Sequence, residues 1–260
     1  MRISVISLLS GVLASLLFAG TATAGVLEQN GPVPAAGKSP ETNNPVYHSG
    51  KFEIKACEEQ PINPDDLDAA RVYLEFVLDC LNTSWQDQLT KARIPFSKPK
   101  FVTTSRAGVP TGCGKFPKGA QAVYCPYNKK ITFLLDPGIL SQATELFLFE
   151  VLAHEYGHHV QQLSGIMNAV GNRKYKNEKA TLAAIRKIEL QAECFSGAFI
   201  GSVWQALGRR ESDFTYVAQA AYDTASHGKS KNIAFWLRRG FDAETPDVCN
   251  TFSAPAAKVS

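Results

Sequence analysis

Residues 154 to 159 read HEYGHH, inside the stretch EVLAHEYGHHVQQLSGI, whose apolar spacing predicts a single helix. His154 and His158 are four apart, so a helix sets both imidazoles on one face, one turn apart. Two neutral imidazoles placed that way can chelate one tetrahedral zinc ion. Glu155 stands beside them, where a carboxylate can take a proton from a water held at the metal. Phe147 and Val151 continue the face that carries the histidines, so the imidazoles extend an apolar stripe and are expected to be buried. Gly157 sits mid-helix at a cost of ~1 kcal/mol against alanine. Close approach of a bound group, or of a second helix, would account for it.

Catalytic zinc takes three protein ligands and keeps a fourth position for water. The third is sought in IRKIELQAECFSGAFIGSVW, a second helical pattern. Ile188, Ala192, Phe195 and Phe199 recur at helical spacing, and Glu189 and Glu193 lie four apart on an adjacent face. Two carboxylates in so apolar a segment are costly to bury unpaired. A metal and its ligands resolve that cost. Glu189 would bind through oxygen, and Glu193 would accept the free N–H of a ligand histidine and fix its tautomer. The alternative leaves both glutamates in solvent on an amphipathic helix, and the HEYGH motif weighs against it.

HEYGHHVQ, ELQAECFSG and SHGKSKNIAFWLRRGF, with TGCG at 111–114 and YCP at 124–126, resemble successive blocks of the bacterial neutral zinc metallopeptidase family. The resemblance spans roughly residues 100 to 250. It implies a gluzincin-type site with His154, His158 and Glu189 holding one zinc ion per chain and Glu155 as general base. The chain departs from the family's usual aspartate at Glu193, which keeps the charge but changes the reach. His227 lies in a matching block and is a candidate to hydrogen-bond the oxyanion. The alternative is a turn histidine bonded to backbone. His159 is roughly 100° round the helix from His158 and is expected at the surface or behind the ligands, not on the metal.

Arg2, an apolar run from Ile3 to Phe18 and the sequence Ala22-Thr23-Ala24 have the layout of a secretory signal peptide at residues 1–24. The rival is an uncleaved anchor, for which the apolar core is short. The expected location is secreted or periplasmic, with no stable membrane insertion after cleavage. A formal net charge of +3 gives no reason to invoke nucleic acid. All six cysteines follow the signal, as in exported disulfide-bonded proteins. Cys113 and Cys125 flank a Gly/Lys-rich turn and are paired first. Cys57 and Cys80 bracket the opening of the first helix and come next. That leaves Cys194 with Cys249, against the rival that Cys194 binds the metal.

Residues 25–56 are rich in Pro, Gly, Asn and Ala and read as a flexible arm, with His48 a loop histidine. Residues 57–250 form one domain, and 251–260 a frayed tail. A helix is expected after Asn63-Pro64 towards Trp85, and strands at 101–104, 122–124 and 131–135 as a small antiparallel sheet. The 131–135 strand is the candidate edge for binding an extended peptide. Helices follow at 212–225 and at 232–239, the second stopping at Gly240. The fold class is α+β: a mainly helical, zincin-like domain with the sheet before the HEYGH helix. The expected function is a secreted zinc metallopeptidase acting on peptides or proteins. The alternatives are a non-catalytic zinc-binding exported protein and a zinc hydrolase of a non-peptide amide bond. Oligomeric state is left open.

Overall fold

Two capped helices frame the molecule. Thr144 closes the start of one by accepting a hydrogen bond from Phe147 N, and Asn177 closes the other by accepting from Ala180 N. The structure, a computed structural model, describes residues 39–57, 59, 62, 66–140 and 144–260. The expected signal peptide and the first part of the arm lie outside the described residues. In chain order the elements are α1 (Leu67–Lys91), β1 (Lys100–Thr104), β2 (Ala122–Cys125), β3 (Lys130–Leu134), α2 (Pro137–Leu140), α3 (Glu145–Leu163), α4 (Ile166–Gly171), α5 (Glu178–Leu207), α6 (Glu211–Gln219) and α7 (Ser230–Ala243). The fold is α+β and mainly helical.

The sheet has the order β1-β3-β2, with β3 antiparallel to β2 but parallel to β1. It is therefore mixed, not antiparallel throughout. The segment 105–121 carries the chain from β1 to the far side of the sheet, so β3 returns between its two predecessors. A central strand is covered on both faces, and Ile131 to Leu134 are accordingly all buried. β3 has no free edge, which removes it as the peptide-binding strand.

The core joins α1, α3 and α5. Trp85 of α1 meets Phe195 of α5 edge to face, and Phe149 of α3 stacks on Phe199 of α5. Phe52 packs on Trp85 at 4.9 Å, and Val46 and Tyr47 of a short 3-10 turn are buried with it. Residues 39–56 are thus part of the core and not a flexible arm. Their apolar residues are too few and too irregularly spaced to register as periodic. The tail is likewise docked: Thr251 and Val259 are buried, and Trp236 Nε1 donates to Lys258 O at 2.8 Å.

α6 stops at Gln219, short of the expected 225, and residues 220–229 turn back across the molecule through a bridge between Thr224 and Gly228. α7 runs past Gly240 to Ala243, and its C-cap is Glu244 in the left-handed region at φ 54°. Gly240 does something else. A Cβ there would lie 2.0 Å from Cys194 O, and one at Gly197 would lie 2.0 Å from Leu237 O. These glycines are the seam that lets α5 and α7 touch backbone to backbone. Gly157 of α3 meets Ala192 of α5 in the same manner, its notional Cβ 3.0 Å from Ala192 Cα. Helix packing, not a ligand, explains that glycine.

All six cysteines are paired, as Cys57–Cys80, Cys113–Cys125 and Cys194–Cys249, with Cα separations of 5.9, 5.5 and 5.5 Å. These are the expected pairs, and the last removes Cys194 as a thiolate ligand. Gly240→Ala forces a methyl into the Cys194 carbonyl and should cost about 1–3 kcal/mol or more, as other overpacked cores do. A urea titration reads this as a lower midpoint at unchanged slope.

Candidate metal centre

α3 and α5 cross antiparallel, and their contact places histidines opposite carboxylates. His154 Nε2 and His158 Nε2, both on α3, lie 3.4 and 3.1 Å from Glu189 Oε2 on α5. Candidate ligand atoms of His154, His158 and Glu189 all lie within 4.8 Å of one another. His227, on the segment that returns after α6, brings its Nε2 to 3.2 Å from the same Glu189 oxygen. It stacks on the His154 ring at 5.6 Å but stands outside that close set. The structure thus assembles all four of these sequence-predicted residues at one point.

The reverse sides of the two α3 imidazoles have different neighbours. His154 Nδ1 faces Glu193 Oε1 at 3.4 Å, and His158 Nδ1 donates to Gln161 Oε1 at 2.9 Å. Each ring therefore has an oxygen behind it and turns Nε2 inward. Two imidazole nitrogens and a carboxylate oxygen, backed by oxygen acceptors, are a donor set suited to zinc. Glu150 adds a second carboxylate beside Glu193, so that Glu150, His154 and Glu193 form an adjoining cluster.

Burial governs the charges here. It pushes the Glu155 carboxyl up, against His158 and His154, which favour its anion. The Tyr124 backbone also favours that anion. Burial would raise Glu189 too, but His158 and His227 outweigh it and hold Glu189 well below the usual carboxylate range. Burial opposes charge on His154, yet Glu193 holds its pKa well above the ordinary value. Glu150 is pushed well above, by burial and then by the neighbouring Glu193 charge. A metal binds ionised carboxylate and neutral imidazole, so at this donor set it competes with protons on the histidines and not on Glu189.

His159 is fully buried, not at the surface. It donates from Nε2 to Ser97 O at 2.6 Å and accepts at Nδ1 from Tyr124 Oη at 3.0 Å, so it ties α3 to β2 as a neutral ring. Two functional neighbours escaped sequence reasoning although helical spacing marks both: Glu150, four before His154, and Gln161, three after His158. The site opens into a cleft of about 1330 Å³ whose walls include Ala122 and Tyr124 of β2, Glu155, and Ile188.

Comparison with known proteins assigns the chain to a family. It belongs to the family described as putative neutral zinc metallopeptidase, whose model matches residues 49–221. The match begins upstream of the extent expected from the motifs and ends before His227. Among curated proteins, the chain is 29% identical over 217 residues to the uncharacterized protein YpfJ of Escherichia coli K12, covering 74% of each. It is 28% identical over 202 residues to the uncharacterized protein Rv2575 of Mycobacterium tuberculosis, covering 65% of this chain and 67% of that one. No solved structure matches it.

Burial lowers the His159 pKa from 6.5 to about 4. Between those values the unfolded chain binds a proton that the folded chain refuses, so stability falls as pH drops from about 6.5 to about 4. The loss approaches ~3 kcal/mol. Denaturant titrations across this window should show that slope in the wild type and a shallower one in His159→Gln.

Proposed function

We propose that the chain is an exported zinc-dependent peptidase, on the strength of one observation above all. His154 Nε2, His158 Nε2 and Glu189 Oε2 converge in a cleft whose wall also carries Glu155. The donor set fits one zinc ion per chain. Bound there, zinc supplies a Lewis acid that polarises a carbonyl and lowers the pKa of water to ~7. Glu155 is the general base. Its carboxylate takes the proton of the attacking water and returns it to the leaving amine nitrogen. His227, with Nε2 beside Glu189 and Nδ1 within 3.1 Å of Ser226 Oγ, is placed to donate to the oxygen of the former carbonyl.

β2 replaces β3 as the strand for the substrate. Leu134 N donates to Gln121 O at 2.8 Å, so in this register Val123 and Cys125 also bond to β3. Ala122 and Tyr124 then direct N–H and C=O to the outer edge, towards the cleft. The Tyr124 backbone favours the Glu155 anion, and the two polar groups of Ala122 are the ones offered to an extended peptide. Three disulfides support an oxidising compartment, and no helix among the described residues is long and apolar enough to cross a membrane. The disulfides agree with export.

Two experiments test this. Glu155→Gln keeps size and removes the base, so cleavage of a mixed peptide library should fall by at least ~10²–10⁴-fold while zinc content stays near one per chain. Retained activity would remove Glu155 from the mechanism. A wild type that holds zinc and cleaves nothing would favour a non-catalytic zinc protein, or one acting on another amide. Ala122→Pro deletes the outward N–H without breaking the β2–β3 ladder. It should raise KM about 2–10-fold, one hydrogen bond's worth, at unchanged zinc content.

A further inference from the structure

On the side of His158 away from Glu189, a buried chain of hydrogen bonds runs between α3 and α5, and the chemistry proposed above does not use it. His158 Nδ1 donates to Gln161 Oε1 at 2.9 Å. Gln161 Nε2 donates to Ile188 O at 2.8 Å and to Gln191 Oε1 at 3.0 Å. Gln191 Nε2 donates to the Tyr47 hydroxyl oxygen at 2.6 Å and to Cys249 O at 3.1 Å. The Tyr47 hydroxyl donates to Glu41 O at 2.9 Å. Both glutamines are completely buried, at 0% exposure, and Tyr47 nearly so.

The chain has one possible direction. Ile188 O, Cys249 O and Glu41 O are carbonyls that can only accept. Each amide therefore turns its nitrogen to those carbonyls and its oxygen to the preceding member. Flipping Gln161 would set its oxygen against Ile188 O and its NH₂ against the Nδ1–H of His158. Folding alone does not call for these amides, because apolar side chains of similar shape can replace a buried polar pair at little cost.

We propose that Gln161 and Gln191 are positioning residues that hold His158 in the Nδ1–H tautomer with its Nε2 lone pair aimed at the metal, anchored on Tyr47 and Cys249. This rests on the reading of His158 as a zinc ligand. Residues 41–47 and the Cys249 end of the Cys194–Cys249 disulfide thereby become parts of the metal site. Each carries one end of the relay, remote from the cleft. Outer partners of this kind are typically worth 10–100-fold in metal affinity.

The test measures zinc dissociation constants by competition with a chromophoric chelator for Gln161→Met, Gln191→Met and Tyr47→Phe. Tyr73→Phe, a buried tyrosine bonded to Glu59 and Glu145 O outside the relay, is the control. Imidazole ¹⁵N spectra of each metal-free protein at alkaline pH report the His158 tautomer independently of zinc. Gln161→Met should weaken zinc about 10–100-fold and give mixed His158 tautomers. The other two relay variants should show the same changes to a smaller degree, and Tyr73→Phe should show neither. Wild-type affinity and a single tautomer in Gln161→Met would overturn the relay. Should that variant fail to fold, the same pair of results in Gln191→Met and Tyr47→Phe would overturn it. A wild type that binds no zinc would instead defeat the metal reading, while the spectra still decide whether the relay sets the tautomer.

Discussion

The antiparallel contact of α3 with α5 is the constraint from which the site follows. It buries most of each charged group, so each needs a partner on the facing helix. The register meets that need. Gly157 against Ala192 lets the backbones approach, and from that point His158 falls opposite Glu189 and His154 opposite Glu193. A larger residue at 157 would push the helices apart and leave two imidazoles and two carboxylates buried without their partners. The helix propensity lost at Gly157 is small beside that.

A second helix seam delivers the fourth group. Gly197, Gly201 and Gly240 bring α7 onto α5, the helix that supplies Glu189. The segment before α7 is then held at several points. Asp223 accepts from Ser230 N at 2.8 Å, Arg186 of α5 donates to Ala225 O at 3.0 Å, and Asn232 donates to Ala257 O and Ser260 O. His227 reaches Glu189 because Arg186 of α5 holds its segment directly and α7, which follows it, packs on the same helix. The docked tail, through Asn232 and Trp236, is part of that support.

Much of this was legible in the chain and some was not, for definable reasons. His154, His158 and Glu189 lie on helices whose apolar period is strong, so their faces can be read from spacing alone. Two cysteine pairs followed from proximity to a turn and to a helix opening, and Cys194–Cys249 was the pair they left. The order of three strands is different: β1 and β3 pair across a long intervening segment, and no local pattern says which strand ends at the edge. Gly240 was misread for a related reason. A glycine near a helix end looks like a stop, and only the facing carbonyl of Cys194 shows that it is a contact. Residues 39–56 carry few apolar groups, yet Phe52 and Tyr47 each fill one place in the core, which composition cannot reveal.

The unequal support of the two α3 histidines has a physical logic in charge balance. In a largely desolvated site a dication calls for about two negative charges, and unmatched excess of either sign is costly. Glu189 and Glu193 supply those two, both held ionised by the imidazoles. Burial and the neighbouring Glu193 charge push the Glu150 carboxyl up, which favours its neutral form beside Glu193. A carboxylate behind His158 as well would overshoot. A neutral amide there fixes the ring through its oxygen and leaves the balance untouched. Glu155 is then the carboxylate whose charge the balance does not require, the condition under which its proton can come and go.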